Sequence, residues 1–481
     1  MQANPHIFRG YDLRGLVGED LSEELAENLG MAYGTMLKNQ GVTKAVIGRD
    51  CRESGENYAT ALIRGLNKTG VDTVYIGMVL VGTFYWSQYH LNIKAGVYVS
   101  ASHNPPEYNG FKFANDFSET LVTDGMNDLK NLVLSEKYSL SDNVGKNDEQ
   151  NIIEAYYADI LARLPSPRSL KVLVDSGCTT AGAFAPELIR RAGHEVIEKN
   201  TEVSGSFPLG VADPTEVEVA ERLSKEVVEA GADIGFTYDA DGDRIGIVDE
   251  KGGIIWNDVL VALFAADVLT DHPGSKIMFN TLCSQLVPET IVRLGGIPFM
   301  WRTGHSFLKK KNQEEGAAFI GELSGHFFFS KDFYNHDDGL YSTMRLLKYL
   351  SSNNEPLSRH INDLPRYISS PEIKVYCADD KKKAAIEELA PSLKKRFPEA
   401  LIIDDERAGD GLRFEMDGQM FVVRYSQNGP YLTIKYEARN IAGYESLRKL
   451  IYELLLQNKD IDWDSKINAN VHAINTEQTN A

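Results

Sequence analysis

The sequence predicts an α/β architecture: three similar α/β domains with mixed, mostly parallel sheets, and a smaller α+β domain at the C-terminal end. Three observations lead there. Short β-branched runs alternate with polar or glycine-containing loops and helical stretches along most of the chain, the pattern of parallel sheets covered by helices. Three successive portions each carry two strand-to-loop junctions. Beyond them the pattern changes to short alternating strands between two amphipathic helices.

The first portion, residues 1–150, holds AVIGRD (Ala45–Asp50) and GVYVSASHN (Gly96–Asn104). The second, 151–252, holds VLVDSG (Val172–Gly177) and ADIGFTYDADGDR (Ala232–Arg244). The third, 253–366, holds KIMFNTL (Lys276–Leu282) and AAFIGELSGH (Ala317–His326). Layout rather than residue identity carries this threefold repeat. The breaks are polar: Ser135–Asn151 is almost devoid of apolar residues and reads as a linker or surface connection. Others lie at Gly252-Gly253 and at Asp363–Pro371, which carries two prolines. The fourth portion, 367–459, runs from the helix KKKAAIEELAPSLKKRF through GLRFEM, QMFVVRYS and YLTIKYEA to the helix YESLRKLIYELLLQ. Residues 460–481, rich in Asn, Asp and Thr, read as a fraying polar tail.

Composition narrows the function classes. A chain of 481 residues with 43% hydrophobic and 25% charged residues is globular rather than disordered. Its net charge of −19 runs against a nucleic-acid partner, which needs a basic surface to displace counterions. Anionic substrates must instead meet locally placed Arg and Lys. Cys51, Cys178, Cys283 and Cys377 lie far apart without a C-x-x-C pair, which disfavours a zinc site and a disulfide framework. The start lacks the apolar stretch of a signal peptide, and the longest apolar run, around Val259–Leu269, is far short of the ~20 residues that span a bilayer. These features predict a soluble, cytoplasmic protein with no membrane partner.

The most informative segment is DADGDR (Asp239–Arg244), directly after the strand IGFTY. Asp239, Asp241 and Asp243 alternate along the loop, so their carboxylates converge on one side. Left alone they would repel and raise one another's pKa values. A hard divalent cation removes that conflict, and three carboxylates with a phosphate oxygen suit Mg²⁺. A solvated acidic turn is the plain alternative. An EF-hand is not one, because Arg244 stands where its sharp turn needs Gly and a strand precedes the loop.

Three further loops offer chemistry. Ser100–Pro105 ends the strand GVYV, where open α/β sheets bind ligands. There Ser102 could carry a phosphoryl group with His103 beside it, although SHNP is also an ordinary turn. GELSGH (Gly321–His326) gathers Glu322, Ser324 and His326 in one tight turn, as hydroxyl recognition on a sugar requires; a helix start capped by Ser324 is the alternative. Nearby, Arg302 and His305 precede Lys309–Lys311, a run more typical of a solvated face. RYSQNGP (Arg424–Pro430) presents an Arg fork with Ser426 and Asn428, a phosphate cradle or a simple hairpin connection.

Jointly and in this order, these loops resemble the α-D-phosphohexomutase superfamily from Phe8 to about Gln457. The bacterial phosphomannomutase/phosphoglucomutase branch is echoed by FRGYDLRG (Phe8–Gly15), ASHNPPEYNGFK (Ala101–Lys112), MWRTGHSFLKKK (Met300–Lys311) and DDGLYS (Asp337–Ser342). The resemblance implies four domains around a central active-site cleft and an enzyme that interconverts mannose or glucose 1- and 6-phosphates. It implies that Ser102 is the phosphoserine and a metal ligand, together with Asp239, Asp241 and Asp243, and that the metal is Mg²⁺. Arg244, Tyr11, Arg14, His103 and Lys112 would line the phosphoryl-transfer site, with Lys112 and Arg14 handling protons. Glu322 and Ser324 would bind the sugar's 3- and 4-hydroxyls, with Arg302, His305 and His326 nearby. Arg424, Ser426 and Asn428 would grip the phosphate that is not transferred. Glucose 1,6-bisphosphate or mannose 1,6-bisphosphate would be intermediate and activator, the partner a small phosphosugar, and the protein a monomer or weak dimer.

The sequence departs from that branch at Gln427 and Asn428, where Asn-Thr is common, at Arg302, where Lys is common, and in GVADPT (Gly210–Thr215), which lacks His. Leu323 stands where the mannose/glucose branch carries an apolar residue, against a polar one in phosphoglucosamine mutases, the nearest alternative function. A phosphatase of the haloacid-dehalogenase type would use Asp239 as nucleophile. A non-catalytic sugar-phosphate binder would be expected to have lost Ser102 or one of the three carboxylates, and all are present.

Overall fold

The computed structural model describes residues 4–427 and 429–475. The chain forms two compact units. The first comprises residues 1–214, 222–254 and 326–357, and the second residues 215–221, 255–325 and 358–481.

In the first unit, strands Leu13–Leu16, Tyr108–Asp116, Ala95–Val99, Lys44–Arg49, Asp72–Met78 and Asn147–Glu149 follow one another across the first sheet. Lys44–Arg49 is parallel to both Asp72–Met78 and Ala95–Val99, whereas Tyr108–Asp116 runs antiparallel. The strand AGVYV is buried throughout, as expected of a strand covered on both faces. Helix Glu23–Asn39, capped by the Ser22 hydroxyl accepting from the Leu25 amide, packs on helix Gly55–Lys68. Gly30 and Gly65 permit the close approach, since a Cβ at either would collide with a carbonyl oxygen of the facing helix. Leu29, Tyr33, Leu62, Leu66, Val97 and Phe113 fill the core beneath. A second sheet sets Lys171–Asp175 parallel to Glu195–Lys199 and Ile234–Tyr238, with Ile245–Asp249 antiparallel at the hairpin.

In the second unit, Lys276–Asn280 lies between the parallel strands Ile297–Trp301 and Phe319–Gly321. An antiparallel sheet follows, ordered Leu401–Ile403, Gly411–Met416, Gln419–Tyr425, Tyr431–Ala438, Ile373–Cys377, Ile461–Asp462. Phe414 and Phe421 stack at 4.4 Å between ring centroids. They share a core with Leu389 and Leu393 of helix Lys382–Arg396 and with Leu447 and Ile451 of helix Ile441–Leu455. Arg413 of this sheet donates to the carbonyls of Thr281 and Cys283 at 2.7 and 2.6 Å.

The expected architecture of α/β portions followed by an antiparallel α+β portion is what the chain adopts. Two segments differ from their reading. The polar connection after Ser135 contributes Asn147–Glu149 as a strand parallel to Asp72–Met78. In the segment read as a fraying tail, residues 460–475 pack instead: Ile461–Asp462 pairs with Tyr376 and Cys377, and Ile474 is fully buried in the fourth portion's core. Among the described residues no helix is long and apolar enough to cross a membrane.

Candidate active site

Strand Ala95–Val99 delivers the serine loop. Ser102 is buried, with φ +50° in the left-handed region. Its amide donates to Ser100 Oγ at 2.8 Å, and its own Oγ lies 2.9 Å from Asp239 Oδ2 and 3.2 Å from His103 Nδ1. Ser100 Oγ in turn donates to Asp241 Oδ2 at 3.0 Å. The adjacent antiparallel strands bring in two cations. Lys112, paired in register with Tyr98, donates to Asp241 Oδ2 (2.7 Å) and Asp243 Oδ2 (2.9 Å). Arg14, opposite Gly110, donates to the Ala101 carbonyl (3.1 Å) and Asn104 Oδ1 (2.8 Å) and is steadied by Asp12. Tyr11, also buried, lies beside them.

The acidic loop leaves strand Ile234–Tyr238 and turns at Gly242, whose φ of +72° needs glycine. Asp239, Asp241 and Asp243 are all buried and bring one oxygen each within 4.8 Å of the others. Two helix starts hold the loop: the Val81 amide donates to the Asp241 carbonyl and the Gly339 amide to the Gly242 carbonyl. Burial and the neighbouring Asp243 and Asp241 carboxylates push Asp239 well above the usual carboxylate range. Asp243 lies below that range, because Lys112 and His326 outweigh its burial. Oδ1 of both Asp241 and Asp243 is buried without a hydrogen-bond partner. Three converging carboxylates, two of them with a buried unpartnered oxygen, form a donor set that fits a divalent metal ion. Arg244 follows directly, 3.5 Å from Asp213 Oδ2 and donating to His326 Nε2 at 3.1 Å. His326 faces Asp337 through Nδ1 at 2.7 Å.

The second unit holds the remaining loops. Glu322, buried at the end of strand Phe319–Gly321, accepts from the Gly304 amide (2.9 Å) and Asn280 Nδ2 (3.3 Å). Asn280 Oδ1 accepts the Leu323 amide, so the carboxylate and the turn bearing Ser324 are set together. His305 begins helix His305–Glu315 and is buried. Lys309 is buried as well, contrary to the solvated face its run suggested. Arg302 stacks over Phe307 at 4.4 Å and lies against Gly409. The next residue, Asp410, takes Arg424 in a bidentate pair at 2.9 and 2.7 Å and accepts from Gln427. Two cations therefore flank one short loop, with buried Ser426 two residues beyond Arg424. Asn428 lies outside the described residues.

The predicted groups thus fall into two sets. Ser102, His103, Lys112, Arg14, Tyr11, Arg244, His326 and the three aspartates lie in the first unit; Arg302, His305, Glu322, Ser324, Arg424 and Ser426 lie in the second. Sequence reasoning missed Asp50, Arg52, Asp337, Asn280 and Asp410, each of which orients a predicted residue or its loop.

Three stretches match the phosphoglucomutase/phosphomannomutase α/β/α domains: residues 5–139 match domain I, 153–253 domain II and 256–367 domain III. The chain is 38% identical over 432 residues to the phosphomannomutase/phosphoglucomutase of Pseudomonas aeruginosa PAO1, covering 90% of this chain and 91% of that protein. It is 33% identical over 458 residues to the phosphoglucomutase of Neisseria gonorrhoeae, covering 95% and 98%. The crystal structure of a phosphoglucomutase/phosphomannomutase family protein from Burkholderia thailandensis superposes with a TM-score of 0.87 at 32% identity, over 95% of this chain and 98% of that one.

Proposed function

The chain belongs to the phosphoglucomutase/phosphomannomutase family of the α-D-phosphohexomutases, and from that premise we propose that Ser102 carries the phosphoryl group which this enzyme moves between the 1- and 6-positions of a hexose. The observation that carries the reading is Ser102 Oγ, buried and 2.9 Å from Asp239, one of three converging carboxylates.

In the proposed cycle a hexose 6-phosphate or 1-phosphate presents its free hydroxyl to phospho-Ser102. The new sugar O–P bond forms as the serine O–P bond breaks. The sugar proton passes to a site base, and Ser102 Oγ is reprotonated when it leaves. His103, at 3.2 Å from Oγ, is placed to take up and return these protons, with the Lys112 ammonium as a proton donor only. The resulting hexose 1,6-bisphosphate returns its other phosphate to the serine, and the same compound serves as activator. Glu322 and Ser324 orient the sugar through its 3- and 4-hydroxyls, while Arg424 and Ser426 hold the phosphate at rest, with Arg302 beside them. Asp239, Asp241 and Asp243, together with Ser102, would hold Mg²⁺, which when bound would neutralise the transferred group's charge. Such transfer depends on positioning and charge more than on covalent chemistry. Mannose and glucose phosphates are the proposed substrates, supported by apolar Leu323 in the sugar turn.

A coupled assay across mannose, glucose and glucosamine 1-phosphates, with a catalytic amount of glucose 1,6-bisphosphate, tests the substrate class. Intact-mass analysis should show a fraction one phosphate heavier, absent from Ser102→Ala, whose turnover should fall by several orders of magnitude. Full turnover in Ser102→Ala sinks the mechanism.

A further inference from the structure

We propose that Arg52 is a positioning residue for the phosphoryl transfer, holding Ser102 in its reactive conformation from beneath the loop. Arg52 follows the first strand-to-loop junction and is fully buried. A guanidinium has five N–H donors, and here each has an acceptor. Nε donates to Asp50 Oδ2 at 3.1 Å. Nη1 donates to the Pro105 and Tyr108 carbonyls at 2.7 and 2.8 Å, and Nη2 to the Ser102 and Asn104 carbonyls, both at 2.6 Å. Asp50 Oδ1 accepts the Arg52 amide at 3.0 Å, fixing the base of the side chain. The ring of Phe207 lies 4.8 Å from the guanidinium carbon.

The loop from Ser102 to Tyr108 is thereby wrapped around one planar fork. The consequence falls on Ser102, whose φ of +50° is unfavourable for an L-residue and persists only where its surroundings enforce it. Ser100 Oγ holds the peptide group before the Cα, and Arg52 Nη2 holds the carbonyl after it. With both sides fixed, the Cα–Cβ bond has one direction, and Oγ is aimed at Asp239. Without the fork, four loop carbonyls lose the guanidinium as donor, the Pro105 carbonyl keeping only the Tyr108 amide, and the serine is free to leave the left-handed region. Transfer depends steeply on such placement, a 1 Å error costing about 100-fold.

The inference rests on Ser102 being the phosphoryl carrier. Lysine keeps the charge but cannot reproduce the fork. Arg52→Lys should therefore fold, bind phosphosugar with nearly unchanged KM, and lose about 100-fold in kcat. Single-turnover transfer from the purified phosphoenzyme should slow by the same factor. Millimolar methylguanidine should restore part of the kcat of Arg52→Ala, but not that of Arg52→Lys, whose side chain fills the site. If Arg52→Ala does not fold, Arg52→Lys decides alone. Parental kcat in Arg52→Lys overturns the proposal, as does a loss shared between kcat and KM together with a fall in thermal stability. Ser102→Ala separates the two readings in the same assay: if it turns over, the carrier assignment fails first, and if it is dead while Arg52→Lys is fast, only this inference fails.

Discussion

Lys112 and Asp241, 129 positions apart, meet at 2.7 Å in a site where neither is exposed. Burial alone would lower the lysine pKa, yet Asp241 and Asp243 hold it well above the ordinary value, so the ammonium stays charged throughout the physiological range. Lys112→Met leaves the carboxylates without this cation. Loss of one partner of a buried pair costs about 3–5 kcal/mol, and Mg²⁺ should recover more stability in the variant than in the parent. Denaturant midpoints with and without Mg²⁺ measure this; an equal Mg²⁺ response in both proteins contradicts it.

Arg424→Ala should raise KM for 1- and 6-phosphosugars by similar factors, since one clamp serves both half-reactions. It also strands buried Asp410, which pairs with both Nε and Nη2 of the arginine. The double variant Arg424→Ala/Asp410→Asn should regain much of the lost stability while KM stays high. An effect on only one of the two phosphosugars rules out a shared clamp.

Glucose and mannose share equatorial 3- and 4-hydroxyls, the groups assigned to Glu322 and Ser324. Galactose 1-phosphate, with an axial 4-hydroxyl, leaves a buried partner unsatisfied at about 1–3 kcal/mol. It should therefore be a poorer substrate by roughly one to two orders of magnitude in kcat/KM. Glu322→Gln should weaken glucose and mannose substrates alike. Comparable kcat/KM for galactose 1-phosphate is the outcome that defeats the assignment.

His194 supplies a pH signature remote from the chemistry. Its Nδ1 accepts the Leu170 amide and its Nε2 meets Ser166 Oγ. Burial, then the charge of Arg168, lowers its pKa to about 4, whereas an unfolded histidine titrates near 6.5. The unfolded chain therefore binds the proton first. Stability from this group is complete above pH ~6.5 and falls as pH drops toward about 4, by roughly 2 kcal/mol after allowance for partial solvent screening. His194→Gln, which keeps a side-chain acceptor, should flatten that part of the stability–pH curve. A parallel curve would show that another group sets the slope.

The loops carrying Ser102, the three aspartates, Glu322 and Arg424 were legible because each ends a recognisable strand with chemically distinctive residues. Their partners were not. Asp410 and Asn280 are ordinary polar residues until folding places them against Arg424 and Glu322, and Arg52 meets its carbonyls about 50 positions away. The strand Asn147–Glu149 pairs through its backbone with every side chain exposed, so no apolar alternation betrays it. In the segment after Asp460, Ile461, Trp463, Val471 and Ile474 are scattered among polar residues without a helical or strand period, so packing on the core is not signalled.

The left-handed backbone at Ser102 has an evolutionary corollary. Threonine offers the same alkyl alcohol and could, on chemical grounds alone, form the same phosphate ester. A β-branched side chain at φ +50°, however, is a genuine steric outlier. Interchange of the two hydroxy amino acids is thus opposed here by stereochemistry rather than reactivity. A threonine variant would have to abandon either this conformation or the alignment of its oxygen with Asp239.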